Sequence, residues 1–313
     1  LAPACYEVLQ PSAPKERMTA LENKCAIKME NITKRFGKVV ANNAINMELR
    51  EGEILSLLGE NGSGKTTLMN MLSGIYFPDE GQIYIHDKPV TIASPKDAFA
   101  LGIGMIHQHF KLVDLFTATE NIILGLEGKL DLANARKKVQ DICDKYGFDI
   151  DPDMKIYDMS VSQKQTVEIV KVLYRGADIL ILDEPTAVLT PQETDKLFAV
   201  MRNMKADGKS LIIITHKLHE VLDVSDRVAV LRKGEYIGDV LTKDADQQSL
   251  TDMMVGRSVS LNINRPEPKN VTTRLKLEGL TVFDELGVKR LDNVSFDIKA
   301  GEVLGVAGVA GSG

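Results

Sequence analysis

The most informative segment of the sequence is Gly59-Glu60-Asn61-Gly62-Ser63-Gly64-Lys65-Thr66-Thr67. It has the GxxxxGK[ST] pattern of a phosphate-binding loop, with an apolar strand (54–58) before it and a helical segment (66–73) after it. Its glycines permit backbone conformations closed to other residues, so the loop amides can approach an anion. The stretch therefore predicts a polyphosphate site, in which Lys65 reaches the β- and γ-phosphates and the Thr66 hydroxyl ligates Mg²⁺.

Length and composition limit the number of domains and the classes of partner that the chain can have. The chain has 313 residues, 44% of them hydrophobic and 26% charged, with a net charge of −6. This length suits one large domain or two smaller ones, and the negative charge argues against a nucleic-acid partner. Cys5, Cys25 and Cys143 lack the spacing of metal ligands and are expected to be reduced thiols. No apolar run approaches roughly 18 residues, so any membrane role must come through a partner.

Two later strands end in polar residues. The apolar run Ile179–Leu182 leads directly into Asp183 and Glu184, and the run Leu211–Ile214 leads to His216. Short apolar strands alternating with helices indicate a parallel sheet, whose active site lies at the carboxyl edge. Two carboxylates ending a buried strand can also serve solvation alone, and a single histidine after a strand is often structural.

Helix-start signals cluster between these strands. Ser94-Pro95 is a helix entry, and capping boxes are expected at Thr117–Glu120 and Thr190–Glu193. The region of about 95–175 is therefore expected to be a helical insert. Upstream, Phe36 is placed either to stack on a purine ring or to cover the sheet edge.

The chain also repeats itself. Lys28–Thr33 matches Lys276–Thr281, 248 positions later (276 minus 28), and Gly52–Leu55 matches Gly301–Leu304. The repeat predicts a complete module over 26–256, a linker over 257–272 and the opening of a second, truncated module over 273–313. Residues 1–25 carry no fold signal and are expected to be a disordered extension.

Together these motifs resemble the ABC transporter ATPase family over about 26–313. Ile179–Glu184 is similar to its Walker B strand, Gln108 to its Q-loop glutamine and His216 to its switch histidine. Met159-Ser160-Val161-Ser162-Gln163 stands where the family has LSGGQ, so both glycines are replaced. Ala187-Val188-Leu189-Thr190 stands where it has SALD, so the aspartate is missing. The resemblance implies an α/β P-loop NTPase fold, with a RecA-like parallel sheet core, an antiparallel β subdomain and an inserted α-helical subdomain.

The resemblance also implies site roles, with ATP and Mg²⁺ as cofactors. The catalytic set would be Glu184, which orients the attacking water, together with Lys65, Gln108 and His216. Metal binding would fall to Thr66, Gln108 and Asp183, the last through a water molecule. Nucleotide contacts would come from Phe36, the residues Gly59 to Thr67, and, across a dimer interface, Ser160 and Gln163.

Within the family, the chain is most similar to the tandem ATPase subunits of bacterial sugar and nucleoside importers. The stretch Gly104–Phe110 favours the nucleoside branch over the ribose branch. This resemblance implies an ATPase that energises import, peripheral at the cytoplasmic face of the membrane. Its partners would be transmembrane permease subunits, a second ABC module of the same full-length chain and, indirectly, an extracytoplasmic solute-binding protein, with no nucleic acid.

Because the altered signature would face the second P-loop, which begins at Gly308, we expect one competent and one weak site per full-length chain, and weak hydrolysis by this chain alone.

Three alternatives stay open at this point. A soluble tandem ABC ATPase of a ribosome-associated machine usually has a long charged helical linker, whereas the join here is short. The others are a nucleotide-binding fragment without turnover and a small-molecule P-loop kinase, which needs neither signature nor repeat.

Overall fold

The computed structural model describes residues 24–108, 110–126, 128, 131–257, 271–285 and 287–308. The chain divides into a unit ending at 259 and a second unit beginning at 260, and each is described by itself. Nearly all of the predicted N-terminal extension and of the predicted linker lies outside the described residues, as do the last five residues of the second P-loop.

The first unit contains an antiparallel sheet in the order β2-β1-β4-β5. Buried and exposed residues alternate over 45–50 of β2, and several apolar residues of β1 are also buried, so one face of the sheet packs on the core. Register shifts let β1 and β2 pair along most of their length, so each strand extends over 12 residues. Their bounds are β1 (Cys25–Phe36), β2 (Val39–Arg50), β4 (Glu80–Ile85) and β5 (Lys88–Val90).

A second sheet, in the order β10-β9-β3-β8-β7-β6, forms the centre of the unit. Five strands are parallel, and β10 pairs antiparallel with β9 at one edge. Every residue of β3, β6, β7 and β8 is buried, as expected for strands covered on both faces. The predicted α/β fold is confirmed. The bounds are β3 (Ile54–Leu58), β6 (Ile103–Ile106), β7 (Ile179–Asp183), β8 (Ser210–Ile214), β9 (Arg227–Arg232) and β10 (Glu235–Leu241).

Helix starts follow the local sequence. The capping boxes predicted at Thr117 and Thr190 are confirmed, and further boxes occur at Ser160 and Asp246. The helices are α1 (Lys65–Leu72), α2 (Pro95–Ala100), α3 (Ala118–Ile123), α4 (Leu132–Tyr146), α5 (Val161–Tyr174), α6 (Pro191–Ala206), α7 (Leu218–Val224) and α8 (Gln247–Val255).

The region 95–175 has an apolar cluster of its own. Residues of α3, α4 and α5 form it, although β6, in the same region, belongs to the central sheet. Separate packing of this kind lets a group of helices act as a subdomain. The fully buried members of the cluster are Ala118, Ile122, Val139, Cys143, Ile156, Val167 and Val170.

In the second unit, β11 (Thr273–Phe283) and β12 (Lys289–Lys299) form an antiparallel pair. Across the described part of the chain, none of the helices combines the length and the apolar character needed to span a bilayer.

Candidate active site

The loop between β3 and α1 has the tight backbone that its glycines predict. Gly59 and Gly64 have φ values of 157° and 97°. A Cβ atom at Gly59 would lie 2.2 Å from the carbonyl oxygen of Leu231, and one at Gly64 would lie 2.4 Å from that of Ala41. Both positions therefore require glycine because neighbouring backbone approaches too closely for any side chain.

Lys65 lies inside this loop. Its Nζ donates hydrogen bonds to the carbonyl oxygens of Gly59, at 2.7 Å, and Glu60, at 2.9 Å, and the side chain is buried. Burial lowers the pKa of Lys65, and the nearby carboxylates of Glu184 and Asp183 oppose that shift. A cation held by carbonyls in a partly desolvated loop is a strong attractor for an anionic ligand.

A cavity of about 740 Å³ opens beside the loop. Its wall brings together the carboxyl ends of several parallel strands, which is where open α/β sheets bind ligands. The wall includes most of the site residues expected from the sequence, namely Asn61, Gly62, Ser63, Gly64, Lys65, Thr66, Thr67, Gln108, Asp183, Glu184 and His216.

Asp183 ends β7 facing Lys65 and Thr66 across the cavity. Burial, and secondarily the charge of Glu184, raise its pKa, while Lys65 and a hydrogen bond from Thr66 lower it. Among the described residues, no group of three or more histidine, cysteine, aspartate or glutamate side chains is arranged to hold a metal ion by itself. The hydroxyl, amide and carboxylate oxygens of Thr66, Gln108 and Asp183 are nevertheless the donor types that Mg²⁺ takes when phosphates complete its shell.

Glu184, the next residue, leaves the strand in the left-handed region, with φ of 50°. Its Oε1 lies 2.9 Å from Nδ1 of His216, which follows β8. Because the left-handed conformation costs free energy for a residue with a Cβ, the surrounding contacts must hold it. The pairing positions a carboxylate where it can accept a proton or orient a water molecule.

Two further contacts fix the residues after Glu184. The amide nitrogen of Gln165, on α5, donates to the carbonyl oxygen of Pro185 at 2.6 Å. The hydroxyl of Thr186 donates to Glu220 at 2.5 Å, and Lys217 binds both Glu220 and the carbonyl oxygen of Thr186 at 2.9 Å. Thus α5, α7 and the segment carrying His216 all hold the backbone around the carboxylate.

Other predicted nucleotide contacts lie elsewhere. The described residues that line the cavity do not include Phe36, whose half-exposed ring packs edge-to-face on Tyr76 with centroids 5.2 Å apart. Ser160 and Gln163 cap α5 reciprocally, with their hydrogen bonds at 3.0 and 3.2 Å. They line a separate depression beside Glu193, so one copy of this unit does not bring them to its own phosphate loop.

The cavity wall also contains residues that the sequence did not single out. The start of β2 contributes an apolar segment, and the turn between β9 and β10 contributes a cation. Neither has a sequence motif, and long-range strand pairing alone brings them to the loop. They are Val39, Val40, Ala41, Lys233 and Gly234.

Comparison with known proteins identifies the family model described as "ABC transporter", which matches residues 42–187. The nucleoside import ATP-binding protein NupA of Lactococcus lactis is 50% identical over 94% of this chain and 59% of its own length. The guanosine import ATP-binding protein NupO of Bacillus subtilis is 50% identical over 92% and 57%. The ribose import ATP-binding protein RbsA of Clostridium tetani is 39% identical over 94% and 58%. This chain thus spans somewhat over half the length of these relatives.

Two solved structures resemble this chain in fold. The cbiO1 structure from Clostridium perfringens, part of the ABC transporter complex cbiONQ, is 30% identical, with a TM-score of 0.64 over 71% of this chain and 90% of that chain. The ATP-binding cassette MJ0796, a dimer bound to ADP and Pi in a post-hydrolysis state, is 26% identical, with a TM-score of 0.60 over 69% of this chain and 98% of that chain.

Proposed function

This chain belongs to the ABC transporter ATP-binding family, and from that premise we propose that it binds and hydrolyses Mg-ATP to energise import of a nucleoside through membrane permease subunits. The observation that carries the proposal is the single cavity in which Lys65, Asp183, Glu184, Gln108 and His216 meet. Phosphoryl transfer depends mainly on positioning and charge stabilisation, and this set supplies both.

Each residue has a role that its geometry supports. Lys65 and the loop amides, which line the cavity, would bind the β- and γ-phosphates. Thr66, Gln108 and Asp183 would hold Mg²⁺, which would supply charge neutralisation. Glu184 orients the attacking water, and His216 keeps that carboxylate in place at 2.9 Å while facing the γ-phosphate. The ring of Phe36 does not line the cavity among the described residues, and it would stack on an adenine that extends out of the cavity past the apolar start of β2.

The geometry of the second unit supports a repeated module. In the first unit, the backbone NH of Ala44 donates to the Thr33 hydroxyl at 3.0 Å, and the NH of Asn293 donates to the Thr281 hydroxyl at the same distance. Ala44 and Asn293 have φ values of 47° and 51°. The hairpins therefore share an irregularity at matching positions, as two copies of one module would.

A tandem arrangement gives the signature residues a partner. Ser160 and Gln163 lie away from the phosphate loop of their own unit, so we infer that they face the loop of a second module in the full-length chain. That loop begins at Gly308, and the complete loop would face a second signature in turn. We infer one competent and one weak site, with permeases and a solute-binding protein as direct and indirect partners at the cytoplasmic face.

The substrate class rests on similarity. The nucleoside and guanosine import proteins share 50% identity with this chain, against 39% for the ribose import protein. The greater identity favours a nucleoside over a sugar.

A transport assay tests the proposal. The full-length protein should be reconstituted with its permease subunits in liposomes, and nucleoside uptake and phosphate release measured together. In the wild type, nucleoside uptake should accompany phosphate release. Lys65→Met and Glu184→Gln should each reduce the rate of phosphate release about a hundredfold or more. Phosphate release that survives Lys65→Met, or uptake of ribose in preference to nucleosides, would contradict the assignment.

A further inference from the structure

Lys233 lines the cavity but has no part in the roles given above. With Gly234 it forms the two-residue turn between β9 and β10, where Arg232 pairs with Glu235. Lys233 and Gly234 have φ values of 50° and 81°, which is the pattern of a type I′ turn. Such turns favour asparagine, aspartate or glycine at the first position, so a lysine there carries backbone strain. The hairpin alone does not account for a lysine at this position.

The turn is fixed to the phosphate loop. The NH of Gly234 donates to the carbonyl oxygen of Ser63 at 3.1 Å, and its carbonyl oxygen accepts from the NH of Asn43 at 2.8 Å. A Cβ atom at Gly234 would lie 2.9 Å from the carbonyl oxygen of Ala41. The exposed side chain of Lys233 therefore starts from a backbone held against both the loop and β2.

Sheet order decides which end of a nucleotide Lys233 meets. In the order β10-β9-β3-β8-β7-β6, the strand leading to the phosphate loop is β3. On one side of it, His216 and Gln108 follow β8 and β6, and Asp183 ends β7. On the other side, Lys233 follows β9. Lys233 thus lies across the loop from the groups that would act on the γ-phosphate.

We propose that Lys233 is a nucleotide-binding residue that pairs with the α-phosphate at the sugar end of a nucleoside di- or triphosphate. This assignment rests on the proposed function. A lysine is a compact, mobile point charge suited to one phosphate oxygen. Since both ADP and ATP carry the α-phosphate, Lys233 contributes equally to the affinity for each.

Lys233→Asn separates this role from a structural one because asparagine fits the turn better than lysine. In the full chain, the dissociation constants of fluorescent ADP and ATP analogues should be measured for wild type, Lys233→Asn, Lys233→Arg and Lys137→Asn. The last variant removes an exposed lysine from α4 as a charge-matched control.

Lys233→Asn should raise both dissociation constants by the same factor, about five- to tenfold, with the thermal midpoint unchanged or higher. Lys233→Arg should retain most of the affinity, and Lys137→Asn should match wild type. Affinity of Lys233→Asn equal to wild type, or a loss confined to ATP, would overturn the assignment. Failure of wild type itself to bind either nucleotide would overturn the proposed function as well, so the two failures are distinguishable.

Discussion

Gly104→Ala tests the packing between β6, the strand that leads to Gln108, and α5, the helix that Ser160 caps. A Cβ atom at Gly104 would lie 2.0 Å from Cγ1 of Val172 and 3.3 Å from Cβ of Ala177. Ordinary carbon contacts are about 3.5–4.0 Å, so helix and strand must separate by about 1.5 Å. Val172 relieves this poorly because β-branched side chains are stiff.

Overpacking of this kind costs about 1–3 kcal/mol. Since about 1 kcal/mol shifts the midpoint of a domain of this size by about 2–4 °C, Gly104→Ala should lower the thermal midpoint by about 2–12 °C. The readouts are calorimetry and urea unfolding followed by circular dichroism. ATP turnover should fall with stability because Gln108 lies just beyond the end of β6.

Val172→Ala provides the matched rescue, since it removes the methyl group that the new Cβ meets. The double variant should be more stable than the sum of the two single losses predicts by at least about 1 kcal/mol, a coupling typical of residues in contact. A Gly104→Ala chain within about 0.5 kcal/mol of wild type, or a double variant whose loss of stability equals the sum of the two single losses, would refute the steric argument.

Three further predictions concern titratable groups. Glu220→Gln should lower kcat several-fold with little change in KM, because it weakens the hydrogen bond from Thr186 that helps to position Glu184. Steady-state kinetics measure both constants, and a change confined to KM would count against this role. Burial raises the pKa of Cys143 to about 11, so alkylation at pH 8 followed by mass spectrometry should modify Cys143 only after unfolding; rapid labelling of the native chain would disprove its burial. Burial raises the folded-state pKa of Asp183, so its ionisation destabilises the fold progressively as pH rises from the ordinary aspartate pKa to the raised one. Asp183→Asn should therefore unfold at a higher urea concentration at pH 7, with the gain vanishing below about pH 4, and a gain that persists there would contradict the linkage.

Sequence reasoning succeeded where the signal is local. The phosphate loop, the strand ending in Asp183 and the capping box at Thr117 each depend on neighbours within a few residues, and their structures match. The wall formed by Val39 and Lys233 was missed because strands far apart in the chain deliver these residues to the cavity.

The hydrogen bonds that hold the backbone next to Glu184 could not be predicted from the sequence either. Thr186 and Glu220 are separated by 34 positions, and their hydrogen bond depends on the tertiary packing that brings α7 to the segment after β7. No spacing rule links such residues. The part played by Phe36 depends on a ligand, since its ring contacts Tyr76 rather than the cavity wall.

Equilibrium binding of Mg-ATP to the 313-residue chain shows whether the cavity beside Lys65 is a nucleotide site. Isothermal titration calorimetry should be run on wild type and on Lys65→Ala, with circular dichroism confirming that both chains are folded. We expect wild type to bind one Mg-ATP per chain and Lys65→Ala to bind at least about tenfold more weakly, because a buried charge-assisted contact is lost. Equal affinity in the two proteins, or no heat of binding in folded wild type, would contradict the assignment of this cavity as the nucleotide site.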